Sequence, residues 1–122
     1  MTTNKAVISL TTGLEDSEKV TVAFLVAVGA AETGRETVIF LTKEAVRLAT
    51  QGFGHASACD GCPELSTLLT RFAAAGGKYF VCPICFDSRG LDKDELLENA
   101  ELNGTIPLWQ WIGEDHAVTF SY

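Results

Sequence analysis

Four cysteines in two CxxC pairs, Cys59/Cys62 and Cys82/Cys85, are the residues of this 122-residue chain whose type and spacing can do chemistry. The first chemistry open to them is that of a thiol. Cys82 leaves a strand-like stretch and enters a turn that starts a helix, where unpaired backbone N–H groups and the helix dipole favour thiolate over thiol. An ordinary thiol, of pKa ~8.5, is about 3% ionised at pH 7, and about 2.7 kcal/mol of preferential interaction makes it about three-quarters ionised. A helix terminus supplies about half of that. A second contributor is therefore expected, and Arg89 and Lys78 are the candidates. Cys85, three residues on, is placed as a resolving thiol or as a packing residue.

The second chemistry is metal binding. Nineteen residues part Cys62 from Cys82, within the C-x₂-C-x₁₅₋₂₀-C-x₂-C pattern of zinc sites. Two such turns supply four soft ligands, so Cys59, Cys62, Cys82 and Cys85 are the ligand set of this alternative. Against it, the segment between the pairs is a long helix and a core strand instead of a small ribbon, and a domain of this size folds without metal. No cofactor is otherwise expected. His55 is a further candidate ligand, read more simply as a solvated loop histidine. Plain packing, the third reading, explains one buried cysteine readily but not four in two pairs.

The elements that must position these residues alternate. Ala6 to Leu10 is a β-branched run closed by Thr11, Thr12 and Gly13. Asp16 and Ser17 suit the N-cap of a helix running to about Thr33, with Gly34 after it. Val38 to Leu41 is apolar at every position, as in a strand covered on both faces. Lys43 to about Thr50 reads as a short helix, and Gln51 to Asp60 as a loop. Pro63 opens a helix whose Leu65, Leu68, Leu69 and Phe72 share a face, ending at Gly76 and Gly77. Tyr79 to Val81 is a third strand that delivers Cys82, with a helical turn following to Arg89.

Asp92 and Glu95 fit a capping box for a helix over Lys93 to Ala100. Leu102 to Ile106 reads as a fourth strand, Pro107 to Ile112 as a short helix, and Ala117 to Phe120 as the last strand. Strands separated by helices imply an α/β domain, with a parallel sheet between helices and sites beyond the carboxyl ends of the strands. No linker or repeat divides residues 1–122, which are expected to form one domain.

Composition narrows the partners. Nearly half the residues are hydrophobic (47%) and 20% are charged, as in a globular protein. Nine basic against 16 acidic residues give a net charge of −7, which argues against nucleic acid or an anionic membrane as partner. Val20 to Ala31 is too short to span a bilayer, which needs ~20 apolar residues, and no targeting segment precedes the first strand. A cytoplasmic, reducing location is expected, in which CxxC pairs are catalytic, redox-active or metal-binding instead of structural disulfides.

Some other residues have plainer readings. Thr11, Thr12 and Gly13 resemble an anion-binding turn, but Glu15 and Asp16 follow at once, so a turn with caps is preferred. Trp109 and Trp111 lie too close to share a helical face, so one is expected in the core and the other toward a partner or the cysteine cleft. His116 carries no assignment.

The sequence of Cys82 to Cys85 is similar to a glutaredoxin motif, and Thr105 to Pro107 to the cis-proline loop of that fold. There, however, the motif follows the first core strand, whereas two strand–helix units precede it here. Only about 25 residues then part Cys82 from Pro107, too few for that fold.

From about Lys5 onward the chain instead resembles the DsrE/DsrF-like family of sulfur-relay and YchN-type proteins. The resemblance rests on the strand ending in Thr11, Thr12 and Gly13, the acidic helix start at Glu15 and Asp16, and the strand over Thr37 to Thr42. Its most informative stretch is Gly77 to Cys82 with Ser88, Arg89, Gly90 and Leu91, supported by Asp94 to Leu97 and Ala100 to Leu102.

The sulfur-carrying cysteine of the relay members follows the third strand, with Arg and Gly seven and eight residues later. Cys82, Arg89 and Gly90 match that spacing. The resemblance thus implies a three-layer α/β/α sandwich around a five-stranded, mainly parallel sheet. It further implies a homotrimer or homohexamer, and a sulfur donor or acceptor that is a protein or a small thiol. The catalytic set it implies is Cys82 with Arg89, joined by Cys85 under dithiol chemistry. The chain departs from the relay pattern by adding Pro83, Cys85 and the Cys59/Cys62 pair, which keeps dithiol and zinc chemistry open.

Overall fold

A computed structural model describes residues 4–53 and 61–122. Apolar, β-branched segments form five strands: β1 Lys5–Leu10, β2 Glu36–Leu41, β3 Lys78–Val81, β4 Ala100–Leu102 and β5 Ala117–Ser121. They pair in the order β4-β3-β2-β1-β5, and every pairing is parallel. Parallel neighbours require crossovers, which the helices supply: α1 Ser17–Glu32, α2 Leu65–Ala74, α3 Pro83–Ser88 and α4 Thr105–Ile112.

Alternation along the strands sends side chains to opposite faces. On the first face Ile8, Leu10, Ile39, Leu41, Tyr79 and Val81 meet α1, α2 and Phe86 of α3 in the large core. On the second, Val7, Val38, Phe40 and Phe80 meet Leu108, Trp111 and Ile112 of α4. The three-layer α/β/α sandwich is therefore present, and its sheet is parallel throughout. Among the described residues no helix is long and apolar enough to cross a membrane.

Local signals set most boundaries. The Asp16 carboxylate accepts the Lys19 N–H at 3.1 Å and starts α1. Helix α2 stops before Gly77, where a Cβ would lie 2.3 Å from the Phe72 ring. Glycine there lets β3 begin directly beneath that ring. Lys43–Ala49 winds as a 3-10 helix.

Two expectations fail in the same place. Lys93 to Ala100 is not a helix: a single 3-10 turn, Lys93–Glu95, is followed by extended chain, and the fourth strand lies at Ala100–Leu102 instead of Leu102 to Ile106. Partners remote in sequence replace the helical ladder. Gln51 N–H donates to the Glu95 carbonyl and Leu97 N–H to the Ala49 carbonyl, both at 2.8 Å. Helix α4 starts at Thr105, two residues before Pro107, whose missing N–H is among the orphan donors of a first turn. Residues 54–60, seven of the ten in the expected loop, lie outside the described residues.

Candidate functional site

The carboxyl ends of the strands line one end of the sheet, and Cys82 sits there on β3, between β4 and β2. Its N–H donates to the Leu41 carbonyl at the end of β2 (3.0 Å), while Asn103, just past β4, donates to the Val81 carbonyl (3.1 Å). The chain then divides. After β3 it turns to the first face through α3, and after β4 to the second through α4. Neighbouring strands whose connections diverge leave a crevice at their carboxyl ends, where parallel sheets place their sites. Pro83 reaches to 3.7 Å from the position of a Cβ on Gly104, so the starts of α3 and α4 abut beside Cys82.

Cys82 and Cys85 are free thiols, each partly exposed and each packed against the first-face core. Cys82 is the N-cap of α3 (φ −60°, ψ 116°), with Pro83 in the first turn. Its side chain makes no capping hydrogen bond. The expectation that first-turn amides grip the sulfur is thus not met in this conformation: proline brings no N–H, and the thiol lies against apolar neighbours. Ile84, between the cysteines, is 79% exposed.

Arg89 lies where its spacing suggested, at the end of α3, but it serves the backbone. Its Nη1 donates to the Cys85 carbonyl at 3.1 Å, which also accepts from the Ser88 hydroxyl at 3.1 Å. Its Nε donates to Glu44 Oε2. Glu44 Oε1 accepts from Arg47 Nε at 3.1 Å, so this carboxylate sits between two guanidinium groups. The Arg89 hydrogen bond, then that of Arg47, hold the Glu44 carboxyl below its usual range against a smaller opposing effect of desolvation.

The Glu44 carbonyl stands 2.9 Å from where a Cβ of Gly13 would be, so glycine lets the β1 turn close onto the same corner. Among the described residues Arg89 makes no hydrogen bond to Cys82. Lys78 is excluded as a helper by geometry. It starts β3, about 13 Å from Cys82 at ~3.3 Å per residue, at the opposite end of the sheet.

Glu44 escapes sequence reasoning, because its partner Arg89 is 45 residues away; only the Glu44/Arg47 spacing of three hints at a pair. The other expectations sort as follows. Trp111 packs edge-on against Phe80 at 6.3 Å, so it is the tryptophan turned to the core, while Trp109 is 68% exposed. Cys59 and His55 lie outside the described residues. Cys62 is disulfide-bonded, and in that state its sulfur is no zinc ligand. Among the described residues no three His, Cys, Asp or Glu side chains converge on a metal-sized site. A concavity of about 340 Å³ between α2 and the approach to β4 is lined by Thr50, Ser66, Leu69 and Asn99, with no cysteine among its described lining residues.

The sequence matches the DsrE/DsrF-like family over residues 4–120. It is 29% identical over 103 residues to the uncharacterized protein MK0008 of Methanopyrus kandleri, a match covering 84% of this chain and 82% of that one. The fold is shared with the YchN protein of E. coli, at a TM-score of 0.72 and 21% identity over 95% of this chain and 99% of the other. It is shared too with MTH1491 of Methanobacterium thermoautotrophicum, a protein of unknown function, at a TM-score of 0.61 and 16% identity over 95% and 98% of the two chains.

Proposed function

Because the chain belongs to the DsrE/DsrF-like family, we propose that it handles sulfur through Cys82, which takes sulfane sulfur from a donor and carries it as a persulfide to an acceptor thiol. The observation that carries this reading is placement: Cys82 is a free, partly exposed thiol at the carboxyl end of β3, where the crossovers after β3 and β4 part. A carrier sulfur must be reached by donor and acceptor in turn, which a sealed core position forbids and this end of the sheet allows.

Arg89 acts as a positioning residue in this reading. It ties the end of α3 to Glu44 and to the Cys85 carbonyl, and so keeps the cysteine-bearing turn against the sheet. The donor and acceptor are small thiols or proteins, and the working unit is a homotrimer or homohexamer.

The test uses Cys85→Ser, which leaves Cys82 as the single thiol of its motif. After exposure to glutathione persulfide, the intact protein is expected to gain one sulfur, about 32 Da. The Cys82→Ser/Cys85→Ser double variant is expected to gain none. Equal uptake by the two proteins, or none by either, would remove the proposal.

A further inference from the structure

We propose, on the reading that Cys82 carries sulfur, that Cys85 discharges it within the same chain, making the protein a persulfide-reducing catalyst that releases hydrogen sulfide. Carriage alone needs one cysteine, yet the structure brings a second free thiol to the same place. Cys82 and Cys85 both pack on the first-face core, so both sulfurs lie on one side of α3, while Ile84 between them points to solvent.

Residues three apart on a helix hold their Cβ atoms ~5–6 Å from each other, and a disulfide needs about 3.8 Å. A movement of one or two ångströms therefore closes the gap. The Cys82 backbone is held on both sides, its N–H on the Leu41 carbonyl and its carbonyl by the Phe86 N–H, both at 3.0 Å, so the approach falls to side-chain rotation. The backbone of Cys85 is anchored as well, its carbonyl held by Arg89 and Ser88 and Arg89 in turn by Glu44. A thiol tethered at this range meets the persulfide at an effective concentration of at least ~1 mM, above that of a micromolar protein acceptor. Discharge by Cys85 then competes with export to such an acceptor.

The step balances within the motif. The Cys85 thiolate attacks Cys82 Sγ. The Sγ–Sγ bond forms as the bond to the outer sulfur breaks, and that sulfur leaves with the electron pair as hydrosulfide, taking up the proton that Cys85 released. The sulfane sulfur is reduced to sulfide, and the two cysteine sulfurs are oxidised to a disulfide. An external dithiol reopens the disulfide by two exchanges and ends as a disulfide itself. The substrates are persulfides of small thiols or proteins, and the reaction feeding this one must generate sulfane sulfur.

The experiment treats the anaerobic, reduced wild-type chain with glutathione persulfide, then measures sulfide and maps disulfides by peptide mass. Wild type is expected to release about one sulfide per chain above the level with Cys85→Ser, and to yield a Cys82–Cys85 disulfide. Cys85→Ser, or Cys85→Ala if the serine variant is unstable, is expected to keep its added sulfur and release no excess sulfide. A wild-type chain that keeps its added sulfur, with no excess sulfide and no Cys82–Cys85 disulfide, overturns discharge while carriage stands. A Cys85 variant that folds yet takes up no sulfur overturns carriage, and discharge with it.

Discussion

The two faces of the sheet are built to different depths. On the first, Phe24, Phe72 and Tyr79 form a trio of rings with centroids 5.2–6.3 Å apart, sealed under α1 and α2. On the second, α4 covers four buried strand residues and buries none of its own fully. Its Trp111 is shared between the Phe80 ring and the Lys5 ammonium, 5.0 Å from the ring centroid, while Ile106 and Trp109 stay exposed. The contrast separates two jobs. Apolar burial on the first face holds the sheet together, and the lightly packed helix on the second starts beside the cysteine motif, at Gly104 against Pro83. A site at the junction of a deep layer and a shallow one has rigid support behind it and an approachable surface in front.

The sharpest way to break that comparison is to truncate one ring on each side. Phe72→Ala is expected to cost ~3–5 kcal/mol, the range for a large side chain removed from a sealed core. Trp111→Ala, on the half-exposed face, should cost about half as much. Urea unfolding of both variants measures the difference, and equal losses would mean that the faces share the work.

A smaller effect sharpens the picture of the first face. The Tyr79 hydroxyl is buried there with no hydrogen-bond partner among the described residues, and burial alone pushes its pKa far upward. Tyr79→Phe removes a buried polar group while keeping the ring, so it is expected to leave stability unchanged or raise it by ~1 kcal/mol. A loss of that size would show that the hydroxyl has a partner.

The smallest expected effect lies at the edge joining the faces. Arg89 and Arg47 hold the Glu44 carboxyl below the usual 4.5. A lowered folded value means stability present above the unfolded value and lost as pH falls through the folded one. The wild-type urea midpoint should therefore decline more steeply below about pH 4.5 than that of Glu44→Gln, with the two profiles parallel above it. Glu32, bound through both oxygens to Arg71 at 2.6 and 3.0 Å, has its carboxyl lowered in the same direction. It remains in both proteins, so the difference isolates Glu44.

Much of this was legible before any coordinates. Period-two and period-3.6 patterns are local, so β1, α1, β2, α2 and β3 sit within a few residues of their expected places, and Cys82 had to emerge at a strand end. Local reading stopped where distant partners decide. The capping box at Asp92 and Glu95 is a sound helix signal, but a carbonyl and an amide of that segment found Gln51 and Ala49 instead, and an extended chain satisfied them equally well. The Glu44–Arg89 pair needed α3 to converge on the 3-10 helix Lys43–Ala49, which no spacing announces.

The sequence by itself determined the order of the elements, the layered α/β class and the position of Cys82 after the third strand, because backbone preference and side-chain alternation act within a few residues. Only the tertiary structure decided that Cys85 shares the side of α3 on which Cys82 lies and that Glu44 is the anchor of Arg89. It also decided that Lys78 stands too far away to matter and that one face is deep and the other shallow. Those outcomes depend on which distant groups satisfy one another once the sheet closes, a condition met by the whole chain at once.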